Sequence, residues 1–182
     1  TAIAAEDLSG IELLNGLPGA LYGPQSPAGV FDYRLKRPSP ATLLRAVGSF
    51  DSNGVFTGQV DASAVAGPIG YRFNIVHGAG ESYVDQSHEN RTLLAGAVDI
   101  HIDPRTVLEL DASQYRTDIT GLPGSIVYFG GASTVLPQAI DPTRPGYGQP
   151  GAGTDLITNT GLAKLRHDLG GGWRLVIGGD RK

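Results

Sequence analysis

From residue 41 onward, polar and apolar residues alternate along segments of about ten residues, the period of a strand with two unlike faces. Gln59, Asp61 and Ser63 take one side of their segment, and Val60, Ala62 and Ala64 the other. Tyr71, Phe73 and Ile75 oppose Arg72 and Asn74. Leu94, Val98, Ile100 and Ile102 oppose Asp99, His101 and Asp103. Leu108, Leu110 and Ala112 oppose Glu109, Asp111 and Ser113, and Ala163 and Leu165 oppose Lys164, Arg166 and Asp168. Less regular strands near 42–51 and 173–180 complete a predicted set of seven. Little of the chain has a helical period.

The connections are uneven. Those at Gly67-Pro68, Asp103-Pro104 and Gly170–Gly172 are a few residues long. Of the opposite set, Ser52–Gly54 is short, while 78–91 and 118–155 are predicted as long loops. Structureless loops beyond about 15 residues are uncommon in compact domains and usually carry function. Long loops at one end, tight turns at the other and alternating strands mark outer-membrane barrels, apolar towards lipid and polar towards the lumen. Trp173, just after a tight turn, suits an interfacial aromatic girdle. A soluble β-sandwich also has alternating strands and turn signals, and stays open on pattern alone. Against it, the would-be inward faces carry charge in strand after strand.

Composition narrows the classes. Glycine (27) and proline (12) are plentiful, yet apolar residues make up 40% of the chain, which excludes general disorder. A net charge of −4, from 14 basic and 18 acidic residues, gives no broad basic footprint for nucleic acid. No cysteine is present, so disulfide frameworks and thiolate metal sites are excluded. No stretch approaches the roughly 18 apolar residues of a membrane helix, and no signal peptide is visible.

The N-terminal forty residues add a longer signal. "GIELLNGLPGALYGPQSPAGVFDYRLKRP" (residues 10–38) resembles the end of the plug domain in TonB-dependent outer-membrane receptors, the ferric-siderophore branch above all. Ile11-Glu12-Leu13-Leu14 matches the family's first strand there, Gly16 the glycine after it, and Leu21-Tyr22-Gly23 and Lys36-Arg37-Pro38 the motifs that follow. Leu17 before Pro18, Ala28, and Phe31-Asp32-Tyr33 depart from the pattern. The resemblance implies a mainly β chain: the end of the plug over 1–38, then about seven antiparallel strands over 39–182, the N-terminal third of a transmembrane barrel. Plugged barrels have about 22 strands, so an incomplete barrel is expected. A TonB-binding segment and the rest of the plug are expected to lie outside this chain, which alone should neither transport nor couple to TonB.

Physically, Gly23 and Gly29 suit turns that need positive φ, and Pro24 and Pro27 hold the loop extended. A pre-ordered loop loses less freedom on capturing a ligand. The resemblance implies ligand contacts from Tyr22, Gln25 and Ser26 at the plug apex, from Tyr115 and Arg116 where the fifth barrel strand nears the outer surface, and from Tyr128 and Phe129 in the long loop. Rings and a cation suit an anionic or carbonyl-rich ferric chelate. The implied function is TonB-dependent uptake of a ferric siderophore across the bacterial outer membrane. The implied partners are that siderophore as transported ligand, TonB and outer-membrane lipid. Haem, cobalamin or a glycan as ligand, a signal-transducing receptor, and a soluble binding module are the alternatives.

Other motifs lead elsewhere. Gly146-Tyr147-Gly148-Gln149-Pro150-Gly151 spells a dinucleotide fingerprint, but Pro142, Pro145 and Pro150 forbid the strand-to-helix context that it needs. Asp99, His101 and Asp103, with Glu109 and Asp111 alongside, carry metal-binding chemistry. The same residues line a hydrated lumen wall, and that reading is preferred. His77, His88 and His167 share no ligand spacing. No nucleophile elbow is present, and no enzyme, cofactor or resident metal is expected.

Overall fold

The structure, a computed structural model, describes residues 3–14, 29–51, 54–124 and 138–181. A 3-10 turn, Ala5–Asp7, leads into β1 (Leu8–Leu14), which pairs antiparallel with β2 (Val30–Leu35) as a separate two-stranded sheet. The remaining strands are β3 (Leu43–Phe50), β4 (Phe56–Ala66), β5 (Ile69–Glu81), β6 (His88–Asp103), β7 (Thr106–Thr120), β8 (Gly153–Gly170) and β9 (Trp173–Arg181). They form one antiparallel seven-stranded sheet in sequence order. All seven barrel strands expected from the alternation are there, in a single sheet rather than the two facing sheets of a sandwich.

Local chemistry sets the short turns. Between β4 and β5 only Gly67 and Pro68 intervene, and Gly67 sits at φ 59°. Glycine adopts that conformation without strain, and it matches the right-handed twist of the flanking strands. Gly29, at φ 117°, supplies the expected positive-φ turn into β2. Gly23, Pro24 and Pro27 lie outside the described residues.

Cross-strand partners share a face, so the register sorts the side chains. One face carries Gln59, Asp61, Ser63, Arg72, Asn74, Ala95, Ala97, Asp99, Glu109, Asp111, Ser113 and Lys164. The other carries Val60, Tyr71, Phe73, Ile75, Leu94, Val98, Leu110, Ala163, Trp173 and Ile177. Burial is inverted relative to a water-soluble domain: Phe73 is 53% exposed and Ile177 59%, while Asp61 is 2% and Glu109 4%. Apolar side chains facing outward and charges facing inward are stable only where lipid replaces water on the outside. Trp173 is 75% exposed at the start of β9, as an interfacial aromatic requires.

The long loops are shorter than the pattern predicts. The β5–β6 ladder continues through Gly78 with Arg91 up to Glu81 with His88, leaving only 82–87 as a connection. The β7–β8 connection likewise shrinks to 121–152. The reason lies on the outward face, where His77, Thr92, Gln114 and Asn159 replace apolar residues. Pairing persists beyond the apolar band, while the alternation that reveals it in the sequence stops.

Candidate plug–wall contact and outer-rim site

The chain connecting β2 to β3 crosses the polar face of the sheet, and its Lys36-Arg37-Pro38 motif engages that face residue by residue. Lys36 Nζ donates to Asp61 Oδ2 at 2.9 Å. Arg72 grips the same carboxylate from the next strand, Nε to Oδ1 at 2.8 Å and Nη2 to Oδ2 at 2.7 Å. Its Nη1 also donates to the Arg37 carbonyl at 3.0 Å. The Arg37 guanidinium divides itself between Asp111 on β7 and Asp99 on β6, and Nη2 reaches the Val98 carbonyl at 3.2 Å. Arginine suits this position because its planar fork presents several donors at once. Pro38 packs on Gly70, where an added Cβ would lie 2.9 Å from the proline ring. One residue on, Ser39 N–H donates to Ser63 Oγ at 2.8 Å.

The 3-10 turn docks beside this cluster. Asp7 carbonyl accepts Lys36 N–H at 2.9 Å, so the turn and the linker form one unit. Glu6 pairs with Arg91 Nη1 at 2.7 Å, and its carbonyl accepts from Asn74. Ala4 is buried against Val76 and Leu93, with Ala95 and Tyr115 packed on the group. A cavity of about 10 Å³ remains, lined by Asp7, Lys36, Arg72, Asn74, Asp111 and Ser113 among others. Burial, and then the neighbouring Asp111 charge, push the Asp7 carboxyl above the ordinary aspartate range, against the downward pull of Lys36 and Arg72.

Of the expected ligand contacts, Tyr22, Gln25, Ser26, Tyr128 and Phe129 lie outside the described residues. Tyr115 and Arg116 do not come together, because adjacent strand residues point to opposite faces. Tyr115 faces the polar side opposite Leu93 and touches the Ala4 group. Arg116 faces outward and holds Asp155 with two bonds, 3.1 and 2.8 Å, both side chains half exposed. The acidic face of β6 and β7 is occupied too: Arg37 takes Asp99 and Asp111, while Lys164 (2.8 Å) and Arg166 (2.7 Å) take Glu109. No group of His, Asp or Glu suited to a metal occurs among the described residues.

The glycine motif at 146–151 is a loop clamp. Gly146 N–H donates to the Asp85 carboxylate at 2.7 Å, and Gly148 N–H to the Asp85 carbonyl at 3.2 Å. Gln149 N–H reaches the Leu122 carbonyl at 3.2 Å. A Cβ on Gly148 would sit 2.4 Å from the Asp85 carbonyl oxygen and 2.6 Å from that of Gly121. Both outer connections, 82–87 and 138–152, are thereby held together at the rim. The linker's wall partners and this clamp both escape a reading of the sequence. The signals were the motif Lys36-Arg37 facing an unexplained acidic strand face, and glycines too dense for an ordinary loop.

A sheet with an apolar outer face and a charged inner face that holds a polar segment has the arrangement of part of a plugged outer-membrane barrel. No family model matches the chain. The ferrichrome receptor FcuA of Yersinia enterocolitica is 26% identical over 148 residues, covering 80% of this chain and 19% of FcuA. The siderophore receptor PiuA of Acinetobacter baumannii superposes with a TM-score of 0.79 at 16% identity, over 96% of this chain and 26% of PiuA. The ferric-catecholate import receptor Fiu of E. coli K12 does so with a TM-score of 0.78 at 21% identity, over 91% of this chain and 27% of Fiu. The chain shares the fold of these receptors and spans about a fifth of the length of the curated relative it matches.

Proposed function

We propose that the receptor containing this chain binds a ferric siderophore at the outer face and takes it up through TonB-driven rearrangement of its plug, without covalent chemistry. Residues 1–38 serve as the end of the plug and 39–182 as the first strands of the barrel. The observation that carries this reading is the docking of Lys36 and Arg37 onto the polar face of the sheet, which supports an N-terminal segment inserted inside a barrel. The sequence relation to a ferrichrome receptor supports a siderophore as cargo. Ligand contacts are assigned to Tyr22, Gln25 and Ser26 from the plug, Tyr128 and Phe129 from the long loop, and Tyr115 from the inner wall. Arg116, which faces away from Tyr115 and is engaged by Asp155, is assigned as a further contact at the rim.

The test is a titration of the intact receptor in detergent with ferric hydroxamate, ferric catecholate, haem and cobalamin, beside a Tyr22→Ala variant. Submicromolar binding of one ferric chelate, weakened about tenfold or more by the variant, is expected. Binding of haem or cobalamin alone overturns the cargo and keeps the architecture.

A further inference from the structure

The charged groups where plug and wall meet do not balance. Four carboxylates converge there: Asp7 from the turn, Asp61 from β4, Asp99 from β6 and Asp111 from β7. Three cations answer them: Lys36 and Arg37 from the linker and Arg72 from β5. The nearby Glu109 is held by Lys164 and Arg166, whose side chains are 36% and 43% exposed and so act weakly at a distance. Glu6 and Arg91 satisfy one another. Asp61 draws two cations and Arg37 draws two carboxylates, which leaves Asp7 without an ion pair among the described residues. The Asp111 side chain is only 8% exposed, and its buried Oδ2 has no donor. Asp7 and Asp111 line the same cavity of about 10 Å³, room for roughly one water.

We propose that Asp7 and Asp111 hold one proton between them when the plug end is docked, so that docking takes up a proton and weakens as that proton is lost. A protonated Asp7 supplies the donor that Asp111 Oδ2 lacks, directly or through one water, and brings the cluster to neutrality. Two close carboxylates, deprived of enough cations, titrate as a pair. The sign follows from the raised Asp7 value. An aspartate with a higher pKa in the docked state binds its proton more tightly there. Docking is therefore strongest below the ordinary aspartate range and declines as pH rises, until Asp7 is ionised whether docked or free. The inference rests on the plug-in-barrel reading and is independent of the cargo.

The experiment places a nitroxide on Ala5→Cys, in an exposed position of this cysteine-free chain, within the intact receptor. Spectra recorded against urea at a series of pH values between 4.5 and 8 give the docking constant from the immobilised fraction. In the otherwise unaltered receptor that constant is expected to fall by up to about tenfold per pH unit across the window where Asp7 loses its proton. Asp7→Asn, which keeps shape and supplies a permanent donor, is expected to flatten the dependence, and Asp111→Asn to do the same if the first variant does not fold. A slope unchanged in both variants overturns the shared proton, as does a flat profile in the parent receptor. A label mobile in every buffer overturns the docked plug itself, a separate result.

Discussion

Arg37 shows how much one side chain can carry when it bridges two strands. Removing it leaves Asp99 and Asp111, diagonal neighbours across the β6–β7 register, with no cation between them. Truncating one partner of such a buried pair costs about 3–5 kcal/mol. Arg37→Ala is therefore expected to lower the unfolding free energy of the intact receptor by that amount, read from the shift of a urea transition followed by tryptophan fluorescence. Arg37→Lys is expected to recover less than half, since an ammonium is a point charge without the fork. The motif Lys36-Arg37-Pro38 was legible in the sequence, and so was the acidic face of β6 and β7. That the two meet was not, because 61 or more residues separate them and nothing local encodes the approach.

Strands and loops bring a different balance. The apolar outward face was readable from alternation, and it predicts asymmetry between faces. Leu110→Arg, on the lipid side, is expected to cost about 2–4 kcal/mol in folding into vesicles, measured by urea titration. Leu156→Arg, on the inner face and 41% exposed, is expected to cost well below that. The extent of the strands was not readable, since above Leu94 and Ala112 the outward face turns polar and alternation falls silent while hydrogen bonds continue. Between the loops, Gly148→Ala puts a methyl against two carbonyl oxygens that are both main chain and have no freedom to yield. The 82–87 and 138–152 connections are expected to part, with faster protease cleavage in both at unchanged barrel stability. Cleavage at the parent rate would show that the clamp does not hold them.

The whole sheet has two sides with a single neighbour each, β3 and β9, and a broad apolar face. Unpaired edges are costly in lipid, where no water satisfies the backbone. The isolated 182-residue chain is accordingly expected to self-associate in detergent, read by light scattering. A cooperative 19.0 kDa monomer would contradict this. The same inside-out arrangement explains the composition: a mean hydropathy near zero, −0.08, hides a chain split almost evenly between a lipid face and a charged one.

The sequence by itself determined the strand count and the apolar outward side, because each rests on short-range order: a two-residue period and turn residues. Only the tertiary structure decided what the wall charges are for. Strands brought side by side turn residues far apart in the chain into ion-pair partners, and the linker crossing them selects which carboxylates are neutralised. It also decided that Tyr115 and Arg116, neighbours in the chain, serve opposite faces, since a pleated strand sends successive side chains to opposite sides.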